Sequence, residues 1–225
     1  MTMYPDLYVP YAALSPNMIL VDTNPKPITK ILSFDLEWSL NKDKHNEYPI
    51  LAASFCDSTG FERAYLLEDF LKINYNDRRL AEHVLLNTIT ATLMKYDTSI
   101  GFYTTGARVF SPSKHKMTGH DSDLIQLDKR LKRYQMKSPV WFSKYNLPYL
   151  TGYNHDHLHI DAFKLFKSKI IQTSVYNDAY NSYDLDTISR AILGDKGGKF
   201  DGLSGPMFES LTDLDEKRAY ALLDA

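Results

Sequence analysis

Three strand-like segments follow one another closely near the start of the chain, and their spacing limits the possible folds more than any other feature. They cover residues 29–36, 49–56 and 61–67, and the turn-forming residues 57–60 separate the last two. Short connections of this kind join neighbouring strands of an antiparallel meander. The sequence therefore predicts three adjacent strands in one sheet.

Beyond the third strand, helical patterns alternate with strands. Residues 1–28 are predicted to form an N-terminal extension, and residues 29–225 a single domain. The order β-β-β-α-β-α-β-α-α predicts an α/β fold with a mixed β-sheet, an antiparallel meander plus parallel strands, flanked by helices. After the meander, the sequence predicts a helix over 77–96, a strand over 98–104, a loop over 105–119 and a helix over 121–136. A strand over 157–161 and a helix that carries Phe163 and Phe166 follow. The last two predicted helices cover 184–193, capped by Gly194, and begin at Thr212, with Asp215 completing a capping box.

Composition narrows the function classes. No apolar run has the length of a membrane span, and the first ten residues lack the pattern of a secretory signal. A single cysteine excludes an internal disulfide and fits a reducing compartment. We therefore expect a cytoplasmic protein, in the nucleoid, or in the nucleus if the source is eukaryotic, that is not secreted. The net charge of −2 does not by itself indicate a nucleic-acid binder.

Two acids share one face of the first predicted strand. Asp35 and Glu37 are two residues apart, so their side chains point the same way while Phe34 and Leu36 point to the other face. Unpaired acids buried together would repel each other, and a divalent cation with oxygen ligands removes that conflict. The alternative is a solvated face that needs no metal.

Further acids lie at two other places in the chain. On a helix, Tyr220 and Asp224 stand one turn apart on one face. Alternatively, Ala219, Leu222 and Leu223 form the core side of that helix, with Tyr220 and Asp224 at its border. Near the start of the 121–136 helix, Asp121 or Ser122 could be the cap, and Asp123 falls in the first turn.

Taken together, these segments resemble the three exonuclease motifs of the proofreading domain of family B DNA polymerases. The motifs are Phe-Asp-Leu-Glu at 34–37, Asp-Ser-Asp-Leu with Leu127 and Arg130 at 121–130, and Tyr-Ala-Leu-Leu-Asp at 220–224. Segments 100–103, 159–161, 183–194 and 199–202 are also similar to segments of that domain. The resemblance spans about residues 29–225 and implies the ribonuclease-H-like fold.

The resemblance implies a metal-dependent 3′→5′ exonuclease that hydrolyses phosphodiester bonds at the 3′ end of DNA. Two Mg²⁺ or Mn²⁺ ions, about 3.5–4 Å apart, would serve the reaction. Tyr220 would position the attacking water, since an unperturbed phenol has a pKa of about 10 and is a poor base. Asp123 is preferred to Asp121 because Leu127 and Arg130 then follow at the family's spacing. The implied metal ligands are Asp35, Glu37, Asp123 and Asp224.

The resemblance also implies which residues and partners contact the site. The second motif departs from the family pattern at Thr118 and Ser122, which replace an asparagine and an aromatic residue. These positions touch the substrate's 3′ end in the family. The implied partner is DNA with a single-stranded or frayed 3′ end, and RNA is a further candidate. A polymerase or another replication or repair protein is a candidate protein partner, and no membrane is implied. The implied substrate-binding residues are Leu36, Thr118, Ser122, Arg130 and Lys199.

Several other features have a structural and a functional interpretation. The basic runs at 129–137 and 164–169 are typical of solvated helix faces, and in a nuclease they could hold phosphates. His155, His157 and His159 alternate and could share a strand face, as zinc ligands or as a polar strand edge. Trp141, Phe142 and Tyr145 could stack on a base or pack within the domain.

Two rival functions follow from the same residues. A degenerate, non-catalytic module would bind nucleic acid or a polymerase partner without hydrolysis, and metal binding separates it from the nuclease. An endonuclease of the same fold would differ only in where it cuts. The sequence leaves open whether the chain is an excised domain or a separate relative.

Overall fold

The computed structural model describes residues 30–106, 108–111, 116–119, 121–144, 146–194 and 205–225, of which 108–111, 116–119, 205–207 and Asp224 are described by their backbone alone. The predicted extension 1–28, Tyr145 and Lys199 lie outside these residues. In chain order the elements are β1 Ile31–Trp38, β2 Ile50–Asp57, β3 Glu62–Leu66, α1 Leu67–Ile73, α2 Arg78–Leu93, β4 Thr98–Gly101, β5 Arg108–Ser111, β6 Lys116–Gly119, α3 Asp123–Arg133, β7 Val140–Phe142, β8 Pro148–Leu150, β9 Leu158–Asp161, α4 Ala162–Phe166, α5 Lys169–Ser174, α6 Leu185–Leu193, a 3-10 helix Gly205–Ser210 and α7 Leu214–Asp224.

A five-stranded sheet in the order β3-β2-β1-β4-β9 forms the centre of the domain. Strand β2 pairs antiparallel with both β1 and β3, which confirms the predicted meander. Strand β4 pairs parallel with β1 and with β9. The predicted α/β class with a mixed sheet is therefore confirmed.

Alternation along β1 separates the two faces of the sheet. Leu32, Phe34 and Leu36 are buried, whereas the residues between them are partly exposed. Helices α2 and α3 cover the buried face, because their apolar residues recur at helical spacing and point to the sheet. The cluster on this face is completed by Ile50, Ala53, Phe55, Leu85, Leu86, Ile89, Leu93, Leu124, Leu127 and Leu131, among others.

The opposite face of the sheet is covered by α7 and the 3-10 helix. Ala52, Ala64 and Leu66 from β2 and β3 pack there against Phe208, Tyr220 and Ala221. Two ion pairs, Lys217 to Glu68 and Arg218 to Asp69, tie α7 to α1. Helix α7 is therefore held across the meander by an apolar cluster and by charged contacts at its side.

Three local predictions are wrong. The segment 105–119 was expected to be a loop, yet β5 and β6 pair antiparallel within it from Arg108 opposite Gly119 to Ser111 opposite Lys116. Strand β4 ends at Gly101 instead of residue 104, because the backbone turns at Tyr103 with a φ of 61°. Helix α7 is capped by Asp213, whose carboxylate accepts the N–H groups of residues 215 and 216, so Thr212 is not the cap.

Several short elements have no counterpart among the predictions: α1, the β7–β8 hairpin and α5. Each has only three to seven residues. Such elements are too short for a hydrophobic period to develop. Across the described ranges, no helix has the length and apolar character needed to cross a membrane.

Replacing Gly101 by alanine should destabilise the domain. A Cβ at this position would lie 2.4 Å from Thr104 Cγ2 and 3.0 Å from the Phe34 carbonyl oxygen. Overpacking of this kind costs about 1–3 kcal/mol. Urea unfolding measures the loss, and adding Thr104→Ser, which removes the Cγ2 methyl group, should recover part of it. Equal stability of the wild type and Gly101→Ala would contradict the close packing.

Candidate functional site

Asp35 and Glu37 occupy the face of β1 that α7 covers. Both are partly exposed, and they lie opposite Ser54 and Ala52 of β2. Ala52 belongs to the apolar cluster that includes Tyr220, so the two acids share a face with that cluster. The predicted common orientation of the two carboxylates is confirmed by this pairing.

The last turn of α7 lies beside the same strand. Ser33 precedes Asp35 by two residues on the same face of β1, and its hydroxyl donates a hydrogen bond to the Ala225 carbonyl. The backbone of Asp224 is therefore next to the strand that carries the acids. One turn earlier, Tyr220 is buried at 3% exposure, with its ring centroid 5.9 Å from that of Phe208.

This arrangement contradicts the alternative assignment for α7. Ala219 and Leu223 are exposed, the latter by 45%, whereas Tyr220 is buried. The core side of the helix is thus the side that carries Tyr220, because this face meets the small residues Ala52 and Ala64 of the sheet. Tyr220 is in the core and not at its border.

Asp123 begins α3, and Ser122 stands at the N-cap position. Both side chains are buried. The backbone N–H of Leu124 donates to the carbonyl of Thr104 at 3.1 Å, which fixes the start of α3 beside the turn that follows β4. Asp121, the competing acid, instead forms a surface ion pair of 2.8 Å with Lys129.

A divalent metal would find suitable donors on this face, but the described side chains do not complete its ligand set. Asp35 and Glu37 offer carboxylate oxygens, which Mg²⁺ and Mn²⁺ prefer. Among the described side chains, no three His, Cys, Asp or Glu residues form a group that could hold a metal ion. The side chain of Asp224 is outside that set, and the four-acid site stays a prediction.

Asp161 fixes the turn that directly follows β4, a role that the sequence did not reveal. Its carboxylate accepts the N–H of Tyr103 at 2.9 Å, the N–H of Thr105 at 3.1 Å and the Thr105 hydroxyl. Asp161 also caps α4 through the N–H of Phe163. One buried carboxylate thus holds β9, the turn and α4 together beside the start of α3.

A directional chain of hydrogen bonds runs beneath this turn. His157 Nδ1 must donate to the Tyr96 carbonyl, 2.8 Å away, because a carbonyl only accepts. Its Nε2 then accepts from the Ser99 hydroxyl at 2.7 Å, and Ser99 in turn accepts from His159 Nδ1 at 2.8 Å. His159 Nε2 accepts from the Thr104 hydroxyl at 2.7 Å.

These bonds decide between the two interpretations of the alternating histidines. All four ring nitrogens of His157 and His159 are engaged with protein groups, whereas His155 lies in a turn with a φ of 61°. The three histidines therefore do not form a zinc site; His157 is buried and lies just before β9, and the rings of His157 and His159 are hydrogen-bonded inside the domain.

Stability should fall with decreasing pH because of the two buried histidines. Burial, and then the neighbouring His157 and Lys164, lowers the pKa of His159 from 6.5 to about 3. Burial also lowers the pKa of His157. Below pH 6.5 the unfolded chain therefore binds protons that the folded chain does not, and the free energy of unfolding should drop as the pH falls. His159 should contribute up to about 1.4 kcal/mol per pH unit, and His157 a further decrease of the same sign.

Urea unfolding between about pH 5 and pH 6.5 tests this slope, because carboxylates titrate mostly below that window. His159→Gln should reduce the slope, whereas His45→Gln, which changes an exposed side chain, should leave it as it is. A flat profile in the wild type would contradict neutral, buried histidines.

Arg130 lies in a buried ion-pair network and not on a solvated helix face. Its side chain is 3% exposed and binds both oxygens of Glu82, at 2.8 and 2.6 Å. Its Nη1 also donates to Asp43 at 2.7 Å and to Glu47 at 3.3 Å. Burial alone would lower the pKa of Arg130, but the hydrogen bonds that it donates to Glu82 and Asp43, and their negative charges, raise it above its ordinary value.

Leu36, Thr118 and Ser122, which were also predicted to contact the substrate, lie among the described residues. The side chain of Leu36 packs in the core, so any contact with a substrate would involve its backbone. Thr118 lies in β6 opposite Val109. The Ser122 hydroxyl is buried and has no hydrogen-bond partner among the described residues. With Arg130 committed to carboxylates and Lys199 outside the described residues, these substrate roles stay predictions.

Most of the chain is similar to known DNA polymerases. No protein-family model matches it. It is 26% identical over 191 residues to DNA polymerase 1 of Saccharolobus solfataricus and 27% identical over 219 residues to DNA polymerase 1 of Aeropyrum pernix. A solved structure of the family B DNA polymerase from the hyperthermophilic archaeon Pyrobaculum calidifontis matches 90% of the chain, with a TM-score of 0.57 and 14% identity. The chain is therefore similar over most of its length to DNA polymerases, one of which is a family B enzyme.

The relationship to family B polymerases covers most of this chain but a small part of the relatives. The matches include 80% and 89% of the chain, yet the chain spans about a fifth of the curated relatives' length, 19% and 20%. It covers 24% of the solved polymerase chain. The predicted resemblance is confirmed, and the mixed sheet flanked by helices is consistent with the predicted ribonuclease-H-like fold.

Proposed function

We propose that this polymerase-related domain is a metal-dependent 3′→5′ exonuclease that hydrolyses phosphodiester bonds at the 3′ end of DNA. The observation that carries the proposal is the position of α7. Its apolar face covers the side of the sheet that holds Asp35 and Glu37, and its end is hydrogen-bonded to Ser33 of the same strand. The first and third predicted motifs thus meet on one face.

Each residue of this site would have a separate role in the hydrolysis. Two Mg²⁺ or Mn²⁺ ions, when bound, would supply a hydroxide nucleophile and stabilise the leaving 3′ oxygen. Asp35 and Glu37, with Asp123 and Asp224, would hold the ions through carboxylate oxygens. Tyr220 would orient the attacking water, and its burial within α7 suits a fixed position. DNA is proposed as the substrate because the relatives are named DNA polymerases.

A hydrolysis assay with two labels tests the proposal. Single-stranded DNA labelled at its 5′ end and, separately, at its 3′ end is incubated with Mg²⁺, Mn²⁺ or EDTA. Stepwise shortening of the 5′-labelled strand and immediate release of the 3′ label, both abolished by EDTA, are expected. Internal fragments at the earliest times would instead identify an endonuclease. A parallel RNA strand measures the sugar preference.

One observation favours a second candidate, a non-catalytic module. The described side chains contain no group of three His, Cys, Asp or Glu residues that could hold a metal ion. If the acids stay apart in solution, the domain would bind nucleic acid without cutting it. Calorimetric titration with Mn²⁺ separates the two candidates, because only the nuclease requires divalent binding. Saturable metal binding that is lost in Asp35→Asn supports the nuclease.

A further inference from the structure

A cleft of about 820 Å³ opens immediately beyond the end of β1. Its lining begins at Ser39, two residues after Glu37, and includes the connection from β1 to β2. The first turn of α2 and the second half of α3 form the other walls, and Glu209 of the 3-10 helix closes one side. Four separate segments of the chain therefore converge on this cleft.

The lining of the cleft is strongly cationic. Three carboxylates, Asp43, Glu82 and Glu209, also line it, but Asp43 and Glu82 both bind Arg130. Among the described residues of the lining, only Glu209 is left to balance the other cations. The cationic side chains of the lining are Lys42, Lys44, Arg78, Arg79, Arg130 and Arg133.

Five of these cations are exposed and available to a ligand. Lys42, Lys44, Arg78, Arg79 and Arg133 are all solvent-exposed. Within the described part of the chain, none of the five forms an ion pair with a carboxylate. Converging cations without counter-charges raise the local positive potential, and low-dielectric walls concentrate it. The cleft therefore attracts anions although the whole chain carries a net charge of −2.

The position of two of the arginines is unfavourable for stability. Arg78 and Arg79 stand in the first turn of α2, which contains no acidic residue. The positive end of the helix dipole disfavours cations there by about 0.3–1 kcal/mol. Asp77 caps the helix but forms its bonds with the backbone N–H groups of residues 79 and 80. A local arrangement that opposes stability is typical of a functional surface.

We propose that this cleft binds the phosphate groups of a single-stranded nucleic acid. Its volume is in the range of ligand pockets, about 300–1,000 Å³, and exceeds what one phosphate fills. Cations on three of its walls match a chain of phosphates better than a single anion. This inference goes beyond the proposed hydrolysis, because binding in the cleft requires neither Asp35 nor a metal ion.

Fluorescence anisotropy with labelled oligothymidylate in EDTA tests the proposal. Arg79→Gln/Arg133→Gln removes one cation from each of two walls, and Lys72→Gln/Lys95→Gln removes two exposed cations outside the cleft. The cleft variant should bind about tenfold more weakly, with a salt slope smaller by about 1.4, since each cation contributes about 0.7 for a single strand. The control variant and Arg79→Lys/Arg133→Lys should bind like the wild type.

The outcomes separate this inference from the proposed function. Equal affinities and salt slopes for the cleft and control variants would overturn the cleft as a strand-binding site, whatever the hydrolysis assay shows. Competition with thymidine monophosphate, inorganic phosphate and polyglutamate identifies the ligand class. Each competitor is added so that its phosphate or carboxylate concentration equals the phosphate concentration of the unlabelled oligonucleotide. Displacement of the labelled strand by thymidine monophosphate, inorganic phosphate or polyglutamate under these conditions would also overturn the cleft as a strand-binding site. Displacement by unlabelled oligonucleotide alone supports it.

Discussion

Asp35→Asn should reduce metal-dependent release of nucleotides from a 3′ end by about a thousandfold or more. The substitution keeps the size of the side chain but removes a negative charge and an oxygen ligand from the shared face of β1. A metal ion supplies several kcal/mol of transition-state stabilisation, and each 1.36 kcal/mol corresponds to a tenfold change in rate. Single-turnover hydrolysis of a 5′-labelled strand with Mg²⁺ measures the loss.

The folding of this variant provides the first control. Two carboxylates on one strand face repel each other, so neutralising one of them should change the free energy of unfolding by less than about 1 kcal/mol. A large loss of stability would mean that Asp35 has a structural role, and the rate could not then be interpreted as chemistry.

Glu62→Gln is the matched control for charge. Glu62 lies on β3 opposite Cys56 of β2, and it is an exposed acid on the same sheet face as Asp35 but two strands away. Its replacement should leave hydrolysis unchanged. If both variants lose activity equally, the effect comes from the overall charge of the face and not from a metal ligand. Full activity of Asp35→Asn would exclude the proposed nuclease site.

Periodic patterns explain which parts of the fold could be predicted. The alternation of Leu32, Phe34 and Leu36 required β1 to bury one face, and its acids then had to share the other. The spacing of Leu85, Ile89 and Leu93 likewise predicted a helix, α2, that buries one face. The sheet and the long helices follow from such local repetition because the period of the side chains specifies the element.

Contacts between distant segments explain what the sequence could not show. Tyr220 is in the core because Ala52 and Ala64, more than 150 residues earlier, leave space for its ring. His157 and His159 bind protein groups instead of a metal because the Ser99 hydroxyl lies between their rings and is hydrogen-bonded to both. No local pattern contains this information.

The basic cleft was missed for the same reason. Its cations come from the β1–β2 connection, α2 and α3, and each pair or single residue looks like an ordinary exposed charge in its own segment. Two segments carried a signal: the basic run at 129–137, which includes Arg133, and the first turn of α2, where Arg78 and Arg79 stand where acids are favoured. The second signal was available in the sequence once the helix start was predicted at residue 77.

Arg130→Met should destabilise the domain by about 3–5 kcal/mol. The guanidinium satisfies the buried carboxylate of Glu82 through two hydrogen bonds and also neutralises Asp43. Without it, the Glu82 charge stays buried, and its donors among the described residues are the Tyr134 hydroxyl and the N–H of Ile50. Leaving a buried charge without its partner costs more than the pair contributes. Urea unfolding at neutral pH measures the change.

A second substitution distinguishes the buried charge from lost packing. Glu82→Gln keeps a carbonyl oxygen that can accept from the N–H of Ile50, its amide NH₂ can donate to the Tyr134 hydroxyl, and it carries no charge. Arg130→Met/Glu82→Gln should therefore be more stable than Arg130→Met alone, which gives a favourable coupling between the two positions.

Lys129→Met gives the scale for an exposed pair on the same helix. Its partner Asp121 is 2.8 Å away and half-exposed, so the loss should stay below about 1 kcal/mol. A loss for Arg130→Met as small as that for Lys129→Met would show that Arg130 is not committed to Glu82 in solution. The guanidinium would then be free to contact a substrate phosphate, as the family resemblance implied. A large loss, recovered in the double variant, means that Arg130 holds α2 and α3 together and shapes the floor of the basic cleft.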